Sequence, residues 1–431
     1  MLFAAVLPAP AAQFILQTVP GTNLTQVLSA HGLALVKPAT DDGQTVYIVS
    51  AADPVAPTLI QQVAADPAVV SFETDQEVAA APPRMPAPQA NLGALSAAIQ
   101  NHTAVNYFGA AVRGSYVSQP AMSLIHDTGA HVYATGAGIV AVIDTGVDPS
   151  HPALQNVLVP GYDFTRDQAG FASEFADLNQ STVAILDQST VAILDKIFGV
   201  QLNQSTVAIL DQSTVAILDT TQLPSHFGHG TMVSGLIHLV APTARIMPLK
   251  AFHGDGTANL SDIVRAIYYA TDHGAAVINM SFSSLAPSPG LTAAIAYAVG
   301  NNVMCLASGG NEGGNVTVYP AALDGVIGVG STSLQDTRSP FSNFDTPSVR
   351  MAAPGEALIT TYPGNNYAGV WGTSFSTALA SGAAALMLQV NPRVYQHLAD
   401  AFEQGRPISL GMGDARLDAL SSVLSCMQVQ E

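Results

Sequence analysis

Three short stretches carry residue types that together could cleave an acyl bond. In Gly372-Thr373-Ser374-Phe375-Ser376, Ser374 reads as a nucleophile at the start of a helix running to about Leu388. Gly372 permits the tight backbone approach that an exposed serine needs. The helix start offers unpaired N–H groups, which favour the negative charge of a tetrahedral intermediate. In His226-Phe227-Gly228-His229-Gly230-Thr231, glycines on both sides of His229 leave its ring accessible as a base. In Val140-Ala141-Val142-Ile143-Asp144-Thr145-Gly146, an apolar run ends in Asp144, a carboxylate suited to orienting an imidazole.

The surrounding pattern must position these groups. From about Ser115, strand-like apolar runs (138–143, 245–249, 276–280, 303–307, 326–330) alternate with helical patterns at 231–240, 260–273 and 291–299. Such alternation predicts an α/β fold, a parallel sheet with helices on both faces, and ligands beyond the carboxyl ends of the strands. Asp144 falls at such an end. Residues 14–78 read as a separate small α+β unit, ferredoxin-like: strands at 14–19, 44–49 and 69–73, helices at 23–32 and 58–67. Residues 79–114, rich in Pro and Ala, read as an exposed linker. Residues 1–13 resemble the back half of a signal peptide, without its basic part, so a secreted or periplasmic location is expected.

Residues 178–219 interrupt the alternation. Gln180-Ser181-Thr182-Val183-Ala184-Ile185-Leu186-Asp187 recurs verbatim at 188–195, 204–211 and 212–219. A straight helix would rotate its apolar face by about 80° per repeat, whereas an even period keeps each side chain on one face of a strand. The expectation is a tandem duplication carried in a surface loop as short Val-Ala-Ile-Leu strands.

Composition narrows the class. The chain has 431 residues, 48% of them hydrophobic, and a net charge of -18. That charge repels phosphate backbones, so no nucleic acid is expected as partner. Two cysteines, Cys305 and Cys426, cannot build a disulfide framework. No apolar run reads as a membrane span.

With the motifs in the order Asp, His, Ser, the chain resembles the subtilisin family of serine proteases, the subtilases. The resemblance rests on Asp144-Thr145-Gly146, His229-Gly230-Thr231 and Gly372-Thr373-Ser374-Phe375-Ser376, and covers about Ser115 to Val423 apart from the repeats. It implies a serine endopeptidase in which Ser374 attacks, His229 moves the proton and Asp144 holds the imidazole. Asn311, in Ala307-Ser308-Gly309-Gly310-Asn311-Glu312-Gly313, matches the family's oxyanion loop. Substrate would lie between Gly256-Thr257-Ala258 and Ser281-Phe282-Ser283, with pocket walls from Ser281, Phe282, Ser308, Gly309 and Gly310. Ser283 stands where the family often has glycine, which implies a tighter pocket mouth. Residues 14–78 look like the family's inhibitory propeptide, with a processing site inside 79–114 and a catalytic domain over 115–431. Polypeptide substrates and the chain's own propeptide are the expected partners, and a monomer is expected.

The resemblance implies no required cofactor. The family often holds calcium through an acid shortly after the aspartate motif, but Pro149-Ser150-His151-Pro152-Ala153 has alanine there. That leaves calcium to weaker sites elsewhere. Two other readings compete. Asp-Thr-Gly occurs at Asp127 as well as Asp144, which suggests an aspartic dyad, but the copies lie too close together for two lobes. A catalytically silent binding protein could keep the fold and present the repeats.

Overall fold

The computed structural model describes residues 12–39, 45–52, 55–79, 101, 103–178, 208–209, 223–409 and 411–428. Residues 1–11 of the signal-like stretch, and all of the repeats but Ala208–Ile209, lie outside them.

The N-terminal unit runs β1 (Ala12–Thr18), α1 (Leu24–His31), β2 (Leu33–Pro38), β3 (Val46–Ala51), α2 (Leu59–Ala64), β4 (Val69–Thr74). Its strands form one antiparallel sheet in the order β2-β3-β1-β4, a ferredoxin-like arrangement. Strand β2, absent from the expected elements although Leu33-Ala34-Leu35-Val36 is an apolar run, forms one edge. The pleat divides β1 and β3 between two cores. Phe14, Leu16, Tyr47 and Val49 face α1 and α2, whereas Ile15, Val46 and Ile48 join the apolar cluster of the larger domain.

The N-terminal unit is followed by β5 (Glu77–Ala79), and beyond residue 100 a hairpin forms from β6 (Ala104–Tyr107) and β7 (Ala110–Arg113). The hairpin lies within the stretch whose composition predicts a linker. Tyr107 explains why it is ordered: its hydroxyl reaches the Leu239 carbonyl at 2.5 Å inside the core.

The larger domain is built on β8 (Ile139–Asp144), β9 (Gly161–Asp163), β10 (Gln168–Gly170), β12 (Arg245–Lys250), β14 (Val277–Met280), β15 (Met304–Ser308), β16 (Val326–Thr332) and β17 (Met351–Pro354). They form one sheet in the order β10-β9-β12-β8-β14-β15-β16-β17, parallel except for the β9–β10 pair. A second, smaller sheet joins β11 (Ala208–Ile209), β19 (Asn366–Val370) and β18 (Leu358–Tyr362). Thus one of the four octapeptides donates two residues to the edge of β19.

Helices α3 (His229–Val240) and α6 (Thr373–Val390) cover one face, α4 (Leu260–Asp272) and α5 (Pro289–Gly300) the other. Alternate residues of each strand feed the two cores: Val140 and Val142 face α3 and α6, Ala141 and Ile143 face α4 and α5. Helix α6 is long and apolar enough to cross a membrane, but 83% of it is buried in this core.

Between β13 (Thr257–Asn259) and β5 the chain makes a two-stranded antiparallel pair. Two carboxylates beside it fasten the N-terminal unit to the larger domain. Glu73 accepts from Gly290 N at 2.6 Å and Ser288 Oγ at 2.9 Å. Asp75 accepts from Ser261 N at 2.9 Å and Ser261 Oγ at 2.6 Å. Each thereby satisfies an otherwise orphaned N–H in the first turn of α5 or α4.

Candidate active site

Strand β8 sits where the order of connections reverses, with β12 on one side and β14 on the other. That switch point is where open α/β sheets bind ligands, and it is where β8 delivers Asp144. Helix α3 begins at His229, behind Gly228 in a left-handed conformation. His229 Nδ1 lies 2.7 Å from Asp144 Oδ1 and 2.9 Å from Oδ2. The Thr145 backbone N–H donates to Asp144 Oδ1 at 2.8 Å and so anchors the carboxylate.

The glycines beside His229 do not expose it, contrary to the expectation from sequence; the residue is only 7% accessible. Gly230 is required for contact: a Cβ there would lie 2.0 Å from the Gly146 carbonyl and 3.2 Å from Asp144 Cβ. The aspartate and histidine motifs therefore touch backbone to backbone.

Burial pushes the His229 imidazole down. The charge of Asp144, its hydrogen bond and the charge of Glu174 push it up, and their sum holds it above its ordinary value. Neighbouring His226 is pushed down, by burial first and by His229 second.

Ser374 is the second residue of α6. Its hydroxyl donates to the Ser281 carbonyl at 3.1 Å, and Ser281 Oγ donates to the Ser374 carbonyl at 3.0 Å. Asp144, His229, Ser281, Phe282, Gly256 and Ser374 line one small cavity of about 30 Å³, room for about one water. A larger cavity of about 360 Å³ lies at the other end of β15–β17, among Arg350, Tyr395, Asp400 and Asp414, and includes none of these groups.

Asn311 follows β15. Its Oδ1 accepts from both Thr373 N and Thr373 Oγ1 at 2.9 Å, which turns its Nδ2 away from Thr373. Ser308, at the end of β15, donates from Oγ to the Phe282 carbonyl at 3.3 Å, and Gly309 and Gly310 continue from it. Phe282 stacks obliquely on Phe252, ring centroids 5.0 Å apart, while Ser283 is half-buried. Of the expected substrate segments, Thr257 and Ala258 already pair with Ala79 and Val78, and Gly256 precedes them.

The second Asp-Thr-Gly does not meet the first: Asp127 lies 3.4 Å from His131, in a different part of the core. Glu174 escapes a reading of the sequence. It opens the 3-10 turn Glu174–Asp177 and is buried behind Asp144, with bonds to Thr145, Gly230 and Thr231. The one available signal is an acid set among apolar residues behind a capping serine, Ser173.

The sequence profile of the subtilase family matches residues 136–401. The chain belongs to the subtilase family. This subtilase is 32% identical over 258 residues to the "Thermophilic serine proteinase" of Bacillus sp. (strain AK1), covering 58% of this chain and 51% of that one. It is 36% identical over 174 residues to "Subtilisin BL" of Lederbergia lenta, covering 38% and 64%. It is 30% identical over 272 residues to the "Major intracellular serine protease" of Bacillus subtilis (strain 168), covering 60% and 70%. The subtilase thus spans 51% and 64% of the length of the first two relatives. Its fold matches the crystal structure of a lanthipeptide protease with a TM-score of 0.55 at 19% identity, over 71% of this chain and 95% of that one.

Proposed function

We propose that this subtilase is a serine endopeptidase that hydrolyses peptide bonds through an acyl-enzyme on Ser374 and is made as a zymogen restrained by its N-terminal unit. The observation that carries this reading is the 2.7 Å bond between His229 Nδ1 and Asp144 Oδ1, in the cavity that Ser374 also lines. Asp144 fixes the imidazole so that Nε2 accepts a proton. The Ser374 hydroxyl exchanges its bond to the Ser281 carbonyl for one to His229 and attacks. His229 then delivers the proton to the leaving amine. The oxyanion is held by the Ser374 N–H and the Asn311 Nδ2 group, the latter contributing about 3 to 4 kcal/mol, a figure that itself comes from subtilisin. No cofactor takes part.

Polypeptide substrate adds as a strand between Gly256–Ala258 and Ser281–Ser283, through backbone bonds that make little demand on sequence. These segments carry no acid, which favours an uncharged residue before the cleaved bond. In the zymogen β5 takes the β13 side of that groove, so the N-terminal unit acts as an intramolecular inhibitor. Cleavage within residues 79–114 releases it. Export of a monomeric enzyme, motivated by the apolar Met1–Leu7, completes the reading. Ser374→Ala protein, made without other proteases, should stay full length while the parent chain loses its N-terminal unit. Arrival of the variant already cut would refute self-processing.

A further inference from the structure

Glu174 is buried to 1% accessibility, and every polar atom of its carboxylate points at the two motifs of the site. Its Oε1 accepts from Thr145 Oγ1 at 2.6 Å and from Gly230 N at 3.1 Å. Its Oε2 accepts from Thr231 Oγ1. Thr145 follows the aspartate, and Gly230 and Thr231 follow the histidine. The Thr145 hydroxyl also stands 3.3 Å from Asp144 Oδ1 and accepts from Gly230 N at 3.0 Å. Thr231 Oγ1 accepts from Asp148 N at 2.8 Å, so its proton is committed to Glu174.

We propose that Glu174 is a positioning residue for the Asp144–His229 pair: one carboxylate gathers the residues that follow each and fixes their separation. This deepens the peptidase reading and rests on it for its kinetic consequence only. Glu174 touches no substrate, so it acts through the pair.

The same geometry links the carboxylate to the electrostatics of the imidazole. A Thr hydroxyl has one proton to donate. While Glu174 is ionised, the short 2.6 Å bond draws the Thr145 proton toward Glu174. When Glu174 takes up a proton, it can donate to Thr145 Oγ1, and the Thr145 proton turns to Asp144 Oδ1. The charged and titratable groups around Glu174 are Asp144 on β8, His229 on α3, Lys250 on β12 and Tyr362 on β18. Burial pushes the Glu174 carboxyl up to about 7, with Asp144 adding to it, against the threonine bonds and Lys250. The exchange therefore falls within the range where a histidine base titrates.

The base of this device is firm. Three residues on, Asp177 accepts from Lys250 Nζ at 2.5 Å and Gly254 N at 2.7 Å. The turn is thus tied to β12 and to the loop that leads into β13.

The test compares the full chain with Glu174→Gln and Thr145→Val. Activity is read as kcat and KM on a peptide, normalised to sites labelled by a fluorophosphonate. The proposal expects kcat per labelled site to fall about tenfold or more while KM stays within about twofold, since no substrate contact is lost. A merely structural role would lower the labelled fraction and leave kcat per site alone. The second readout needs no activity: the NMR titration of the His229 imidazole in the Ser374→Ala background. Loss of the Glu174 charge should lower its midpoint by about half a pH unit or more, and loss of the Thr145 link should also displace it. Unchanged midpoints in both variants, within about 0.2 of a unit, would overturn the proposal whether or not the chain cleaves peptides. Should Glu174→Gln not fold, the midpoint of Thr145→Val decides in the same way: displaced, it supports the proposal, and unchanged, it overturns it. Failure of the peptidase reading would show instead as an unlabelled, inactive parent.

Discussion

Removing the two carboxylates that hold the N-terminal unit should release it in graded steps. Glu73 accepts two bonds at the start of α5, and Asp75 accepts two at the start of α4. A hydrogen bond to a charged group contributes about 1.5 to 3 kcal/mol net, and a helix start adds a few tenths more. Undocking returns both carboxylates to water, so the lower end of that range applies. Burial pushes the Glu73 carboxyl above its ordinary value, opposed by the bonds from Gly290 and Ser288. Part of its bonding is therefore offset by desolvation, and we assign about 1 kcal/mol to Glu73 and about 2 kcal/mol to Asp75. The double change Glu73→Ala with Asp75→Ala should cost about 3 kcal/mol, or about 150-fold in Kd. The assay is calorimetric titration of residues 12–79 into residues 101–431 carrying Ser374→Ala. Binding by the double variant within about twofold of the parent would refute the idea that helix-start capping fastens the unit.

Other outcomes follow from the buried charges. Asp144 raises His229 against burial, and on the proposed mechanism the base acts as the neutral imidazole, so activity should appear as pH rises through the His229 value. Asp144→Asn should therefore move the acid limb of kcat/KM to lower pH while kcat drops by about 10⁴; an acid limb that moves up contradicts this. Asp127, buried 3.4 Å from His131, has its carboxyl pushed by burial up to about 8. The folded chain then keeps a proton that the unfolded chain has released above about 4, so stability falls as pH rises between those values. Asp127→Asn should raise Tm by a few degrees at pH 9, about 1 kcal/mol or more, and much less at pH 4; equal shifts at both would contradict the assignment.

The part of the fold that could be read from the sequence is the part whose signal is local. Strands β8, β12, β14, β15 and β16 are buried on both faces and so appear as continuous apolar runs. Strand β2 also has an apolar run, Leu33-Ala34-Leu35-Val36, but it is an edge whose residues from Ala34 to Pro38 are exposed or half-exposed, and it follows directly on the glycine that ends α1. The hairpin of β6 and β7 is hidden in an Ala- and Pro-rich stretch because its anchor, the Tyr107 bond to Leu239, spans 132 positions.

The site divides the same way. Asp144, His229 and Ser374 each sit in a short motif with glycine beside or near it. Glu174 has partners 29, 56 and 57 positions away, and a lone acid with such partners carries no periodic signature. The 73–75 acids are more distant still, reaching 186 to 217 positions along the chain. The glycines of the histidine motif are legible in the sequence, but their purpose is not. They allow Gly230 to meet Gly146, a contact that only the folded pair of motifs defines.

The most direct measurement is covalent labelling with a fluorophosphonate, followed by peptide mapping, of the processed protein and of variants that do not process themselves and are cut within residues 79–114 by an added metalloprotease. The account predicts a single adduct on Ser374 and none on Ser374→Ala, with labelling of His229→Ala slowed by orders of magnitude. Peptide hydrolysis that survives in Ser374→Ala, or an adduct located on another residue, would contradict it.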